Sequence, residues 1–126
     1  MDQPGKSLVA IVDDENAVRE ALASLLRSTG LPVASFTSAE EFLHSSSHDD
    51  IGCLILDINL PAMSGLHLQQ LLASKGSHIR IILITAQEDR AGRIQAQVTL
   101  AGAHALLFKP FLDEDLLGAV QSALMR

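Results

Sequence analysis

The side chains best suited to chemistry stand at the ends of short apolar runs. Asp13-Asp14-Glu15 follow the run Leu8–Val12, Asp57 follows Cys53–Leu56, Thr85 follows Ile79–Ile84, and Lys109-Pro110 follow Ala105–Phe108. If the first and third runs are neighbouring strands, Asp13, Asp14 and Asp57 converge on one small pocket. Two like charges about 4 Å apart repel by roughly 4 kcal/mol at an effective dielectric near 20. Three carboxylates therefore need a shared proton or a cation. A hard divalent ion bound by oxygen is the simpler answer. Mg²⁺ suits a site with few carboxylates that keeps several waters and accepts phosphate oxygens, and Mn²⁺ is the alternative. Asp57 then has two roles open to it, ligand and nucleophile, and a carboxylate attacking phosphorus gives an acyl phosphate. Phosphoryl transfer asks a protein mainly for positioning and charge neutralisation. Lys109 can offer a compact positive charge to one phosphoryl oxygen, and the Thr85 hydroxyl can donate a hydrogen bond to another. Singly, each group has an ordinary explanation as a solvated loop acid, a strand-end hydroxyl or a surface lysine. Together, at four strand ends, they favour phosphoryl chemistry.

The elements that must position these groups follow from periodicity. Besides the four runs above, Val33–Phe36 makes a fifth, and three of the five are apolar nearly throughout, as strands buried on both faces should be. Between them lie helical spacings. Val18, Leu22, Leu25 and Leu26 share one face, with Gly30 as the stop. Ser38 with Glu41 forms a capping-box pattern before Phe42 and Leu43. Ser64 caps a helix carrying Leu68, Leu71 and Leu72 and ending near Gly76, and Asp113 opens a last helix with Leu116, Leu117, Val120 and Leu124 on one side. The stretch Gln87–Ala101 reads as a helix with a thin apolar stripe, and Ser45–Asp50 as a polar surface loop. Strand and helix alternating five times over predict an α/β fold, a doubly wound five-stranded parallel sheet with helices on both faces. Function in such sheets gathers at the carboxyl ends of the strands.

Composition narrows the class. The 126 residues fit one domain, 48% of them apolar, enough to bury a real core. Fifteen acidic against nine basic side chains give a formal charge of -6, which argues against gripping a nucleic acid or an anionic membrane by charge. The single cysteine, Cys53, lies in an apolar run and reads as a small buried hydrophobe. The five histidines show no zinc-binding spacing and read as surface residues. Met63 and Phe111 read as packing residues. Without a signal-peptide core or a membrane-length apolar run, a cytoplasmic protein with no membrane partner is expected.

Four stretches in order resemble the receiver domains of two-component response regulators: Ile11-Val12-Asp13-Asp14-Glu15, Leu56 through Gly65, Ile84-Thr85-Ala86, and Ala101-Gly102-Ala103 running to Phe108-Lys109-Pro110-Phe111. The Ser38-to-Leu43 helix opening resembles the FixJ-type subgroup, whose receivers usually precede a helix-turn-helix output domain. The resemblance implies a flavodoxin-like receiver fold over residues 1–126, either standing alone or forming the N-terminal part of a longer regulator. It implies that Asp57 is the phosphoacceptor, that Asp13, Asp14, Asp57 and the Asn59 backbone carbonyl bind Mg²⁺, and that Thr85 and Lys109 contact the phosphoryl group. It further implies a cis Lys109-Pro110 bond, and roles for Asn59 and Gln87 in tuning the rate at which water removes the phosphoryl group. The implied donor is a sensor histidine kinase, and the implied output is a phosphorylation-dependent homodimer and control of transcription. Such a domain is a switch that promotes its own phosphorylation and dephosphorylation rather than an enzyme acting on a separate substrate.

Two departures touch the signal relay. Leu106 stands at the switch position, where the family usually has Tyr or Phe, and the stretch from Thr85 to Gly102 is about two residues longer than the family pattern. The expectation is therefore a relay without a swinging ring, through reordering of Gln87–Ala101. Three rival readings compete. A flavin module needs a Gly/Ser/Thr-rich loop after the first strand, where this chain has acids. A haloacid dehalogenase-like phosphatase needs a second acid two residues past the nucleophile, where this chain has Asn59. A degenerate receiver acting as a phosphorylation-independent interaction module is the alternative that Leu106 keeps open.

Overall fold

The computed structural model describes residues 7–45, 48–86 and 102–125; the expected helix over Gln87–Ala101, and Gln87 itself, lie outside them. Strands β1 (Leu8–Val12), β2 (Val33–Phe36), β3 (Ile51–Asp57), β4 (Arg80–Ala86) and β5 (Ala105–Lys109) form a parallel sheet in the order β2-β1-β3-β4-β5. Helices α1 (Asn16–Ser28), α2 (Ala39–Leu43), α3 (Gly65–Ser74) and α4 (Asp113–Leu124) cover its two faces. The chain winds one way from β1 to β2 and the other way from β3 to β5. That reversal opens a crevice between the carboxyl ends of β1 and β3.

Alternation along each strand fills two separate cores. Val9, Ile11, Cys53, Ile55, Ile82 and Ile84 pack against Leu22 and Leu26 of α1 and Leu116 and Val120 of α4. Ala10, Val12, Leu54, Leu56, Ile81 and Leu83 pack against Phe42 of α2 and Leu68 and Leu72 of α3. Leu54, Leu56 and Leu83 are wholly buried, each worth about 1.5–3 kcal/mol by area removed from water. Because β3 is covered on both faces, its apolar residues run without a polar interruption from Cys53 to Leu56.

Helix ends follow the sequence signals, with one twist. The Ser38 hydroxyl accepts from the Glu41 N–H at 3.0 Å. The Glu41 carboxylate, however, reaches past Ser38 to accept from the Thr37 N–H at 2.6 Å and the Thr37 hydroxyl at 2.9 Å. Those bonds hold its carboxyl below its ordinary pKa. The Ser64 hydroxyl accepts from the His67 N–H at 3.1 Å. Helix α1 stops where Gly30 takes a φ of 88° and Leu31 donates back to the Leu26 carbonyl.

Three strands extend beyond their apolar runs. Pairing of Asp57 with Ile84, Thr85 with Phe108 and Ala86 with Lys109 carries the ladder on after apolarity stops. The polar stretch before β3 contains a short 3₁₀ turn, His48–Asp50. His48 corrects the surface expectation for histidines: it is half-buried, its ring stacks 4.3 Å from Phe42, and Nε2 lies 2.7 Å from the Phe42 carbonyl. No helix among the described residues is long and apolar enough to cross a membrane.

Candidate metal centre

Asp13 directly follows β1, its N–H donating to the Phe36 carbonyl at 3.2 Å, so the end of β2 fixes its backbone. Asp57 is the last residue of β3, and the next N–H, of Ile58, donates to Ile84 on β4 at 2.9 Å. The central strands therefore deliver both acids to the crevice mouth. Asp13 is 1% and Asp57 6% exposed, whereas Asp14 is exposed. A carboxylate oxygen from each of the three lies within 4.8 Å of the others.

Loop backbone aims the two buried carboxylates. The Glu15 N–H donates to Asp13 Oδ1 and the Asn59 N–H to Asp57 Oδ1, each at 2.9 Å. Both Oδ2 atoms are left facing Lys109, whose Nζ lies 3.4 Å from Asp57 Oδ2 and 3.6 Å from Asp13 Oδ2. Glu15 Oε1 is 3.7 Å from the same nitrogen. The Arg19 guanidinium donates to the Asp13 carbonyl at 2.8 Å and also to Asn16 Oδ1. The Lys109-Pro110 bond is cis.

Charge in this crevice is unbalanced. Burial, aided by the nearby Asp57 and Asp14, raises the Asp13 carboxyl above its ordinary pKa, although the Glu15 N–H and Lys109 pull the other way. Burial acts to lower Lys109, but Asp57, Asp13 and Glu15 outweigh it and the ammonium is raised. One contact thus favours charge on the lysine without carrying the acid with it. The reason is that a single ammonium serves three carboxylates, and Asp13 is the most deeply buried of them. Asp13 Oδ2 has no hydrogen-bond partner among the described residues. Hard oxygen donors, an orphaned carboxylate oxygen and a shortage of positive charge fit an Mg²⁺-type or Mn²⁺-type ion.

Thr85 sits on β4, next to β3, wholly buried, and its hydroxyl has no hydrogen-bond partner among the described residues. Leaving such a group unmet costs about 1–3 kcal/mol, which an arriving acceptor would recover. Asn59 is exposed in the loop after β3. Leu106 lies within β5, half-buried, opposite Leu83 and against the core on the α2 and α3 side.

Two residues of this neighbourhood were quoted in the sequence motifs without a role. Glu15 joins Lys109, and its only signal was adjacency to the acid pair. Gly65 opens α3 against the backbone at the end of β3: a Cβ there would lie 2.3 Å from the Asp57 carbonyl oxygen and 2.9 Å from Ile58 Cα. Its signal was a glycine at a helix start, where almost any other residue is a better helix former.

A five-stranded parallel sheet in this order, with acids leaving its two adjacent central strands and a lysine leaving its last, defines a receiver-type α/β domain. Residues 9–121 match the response regulator receiver domain, and the chain belongs to that family. It is 49% identical over 119 residues to the response regulator protein TmoT of Ectopseudomonas mendocina, covering 94% of this chain and 53% of that protein. It is 40% identical over 118 residues to the transcriptional regulatory protein FixJ of Azorhizobium caulinodans, covering 94% of this chain and 55% of that protein. The crystal structure of response regulator protein TrrA from Thermotoga maritima, in complex with Mg(2+)-BeF, superposes with a TM-score of 0.81 at 27% identity. That match covers 94% of this chain and 99% of TrrA. The chain spans about half the length of the curated relatives it matches.

Proposed function

We propose that this chain is a phosphorylation-switched receiver in which Asp57 accepts a phosphoryl group from a sensor histidine kinase. The observation that carries the reading is the convergence of Asp13 Oδ2 and Asp57 Oδ2 on Lys109 Nζ, with a carboxylate oxygen of Asp14 within 4.8 Å of one on each of these acids. Asp13, Asp14 and Asp57, with the Asn59 carbonyl by resemblance, would hold Mg²⁺, which supplies charge neutralisation for an incoming phosphoryl group. The magnesium and beryllofluoride bound by TrrA support this choice of ion and ligand.

The chain's own residues divide the remaining work. The Asn59 N–H holds Asp57 Oδ1, so Oδ2 faces the pocket as the nucleophilic oxygen. Lys109, already beside that oxygen, shifts its ammonium to the phosphoryl oxygens, and the unmet Thr85 hydroxyl donates to another. Movement of Thr85 toward the phosphoryl group would draw on β4, whose Leu83 pairs with Leu106 of β5. With leucine there the relay proceeds by repacking, and Gln87–Ala101 is the segment proposed to reorder. Asn59 and Gln87 are proposed to tune phosphoryl lifetime. An apolar groove formed by Ala17, Val18, Ala21, Leu25 and Phe111 shares Lys109 with the pocket, and it suits a kinase helix presenting its phosphohistidine.

The half-length coverage of these relatives, one of them named a transcriptional regulatory protein, supports residues 1–126 as the receiver part of a longer cytoplasmic regulator, for which a helix-turn-helix output domain and phosphorylation-dependent dimerisation are proposed. Incubation with phosphoramidate and Mg²⁺, read by intact mass and sizing, tests both levels. One added phosphoryl group, absent in Asp57→Asn and without metal, is the expected result. No mass gain in the wild-type chain would instead favour the phosphorylation-independent interaction module.

A further inference from the structure

We propose that Glu15 is a specificity-determining residue that selects phosphodonors by charge, disfavouring small free acyl phosphates at the mouth of the pocket. The inference rests on the reading of Asp57 as phosphoacceptor. Glu15 occupies the N-cap position of α1, yet its side chain makes no capping hydrogen bond. It extends instead to Lys109, with Oε1 3.7 Å from Nζ, while remaining 64% exposed. Its backbone is pinned, because its N–H donates to Asp13 Oδ1 at 2.9 Å. The carboxylate is thus a solvent-exposed negative charge beside Lys109, the same ammonium that the two buried acids face.

The position has a chemical consequence. Lys109 Nζ lies 3.4 Å from Asp57 Oδ2, so the Glu15 oxygen is within about 7 Å of the nucleophilic oxygen through their shared nitrogen. A donor that reaches Asp57 therefore comes within the field of this charge. In the transfer an Asp57 oxygen forms a bond to phosphorus while the bond from phosphorus to the leaving group breaks. With acetyl phosphate the electron pair departs on acetate; with phosphoramidate it departs on nitrogen, which leaves as ammonia carrying the proton it already held. Lys109 stays protonated throughout. Repulsion at this distance in a water-like dielectric slows a donor about threefold per unit of donor negative charge. A protein donor offsets that repulsion with docking contacts that a free small molecule lacks.

The experiment compares wild type, Glu15→Gln and Glu15→Asp with acetyl phosphate, a dianion near neutral pH, and phosphoramidate, a monoanion. Phosphorylation with Mg²⁺ is read by intact mass. Glu15→Gln should speed acetyl phosphate about sevenfold and phosphoramidate about threefold, and Glu15→Asp should stay near wild type. Both gains should shrink in molar salt, where screening acts within about 3 Å. Because the side chain caps nothing and its pairing with Lys109 is largely solvent-exposed, the metal-free melting temperature of Glu15→Gln should stay close to that of wild type. Equal acceleration of both donors, or none, overturns the proposal while leaving Asp57 as acceptor. Failure of the wild-type chain to gain mass overturns the underlying reading instead.

Discussion

Replacing Gly65 with alanine tests how closely α3 is fitted to the loop after Asp57. The new Cβ would stand 2.3 Å from the Asp57 carbonyl oxygen and 3.0 Å from its carbon, against an ordinary contact beginning near 3.4 Å. The obstructing atoms are backbone in a strand end with hydrogen-bonded neighbours, so no side-chain rotation relieves the clash. Either the first turn of α3 or the end of β3 must move by about 1 Å. Overpacking of this kind costs about 1–3 kcal/mol, which lowers the melting temperature of a domain this size by roughly 5–10 °C. A shift of about 1 Å at a reacting group can also cost on the order of a hundredfold in rate. Melting by circular dichroism and phosphoryl uptake by mass measure the two effects. Gly118→Ala is the matched control. It makes the same chemical change in the exposed interior of α4, where a Cβ meets nothing within 4 Å, and should stabilise by up to about 1 kcal/mol through helix propensity. If Gly65→Ala melts with the wild type and is phosphorylated at its rate, the loop yields freely and the argument fails.

Three other predictions concern charge and burial. Lys109→Met should lower the metal-free melting temperature by leaving Asp13 and Asp57 facing each other, and added Mg²⁺ should restore more stability to the variant than to wild type; equal metal-induced shifts would count against shared charge compensation. Asp13, with its folded pKa raised, holds its proton more tightly folded than unfolded, so its contribution falls as pH rises through the window from its unfolded value near 3.8 to the raised one. Asp13→Asn should therefore raise metal-free stability at neutral pH, with the gain fading below that window; a gain unchanged at low pH would contradict the sign. Cys53 is wholly buried and its thiol is pushed up to about 12, so thiol reagents should label it only as fast as the chain unfolds, and rapid labelling of folded protein would refute its place in the core.

The sheet was legible because its three inner strands, β1, β3 and β4, are buried on both faces and so carry nearly unbroken apolar runs. Strand ends were less legible. Asp57, Thr85 and Lys109 belong to the ladder, yet they are polar, and only pairing with neighbouring strands shows that the backbone continues through them. The site acids could be read as a cluster from strand-end chemistry once β1 and β3 were taken as neighbours. Glu15 and Gly65 could not: for Glu15 what matters is its distance from Lys109, far along the chain, and for Gly65 a close approach of backbone that only the folded loop brings about. His48 reads as a surface residue because its spacing suggests no ligand role; its stacking on Phe42, six residues earlier, comes to light only in the fold.

The sheet order assigns unequal freedom to the groups at its carboxyl end. Asp13, Asp57 and Thr85 sit on or directly beside strands flanked on both sides, whereas Lys109 closes a border strand paired only with β4 among the described residues. The anionic half of the crevice is therefore anchored in the stiffest part of the molecule, and the cationic half is mounted on its rim. Whatever displaces that rim alters the balance of charge before it disturbs the acids, which makes the lysine the adjustable component of an otherwise rigid bay.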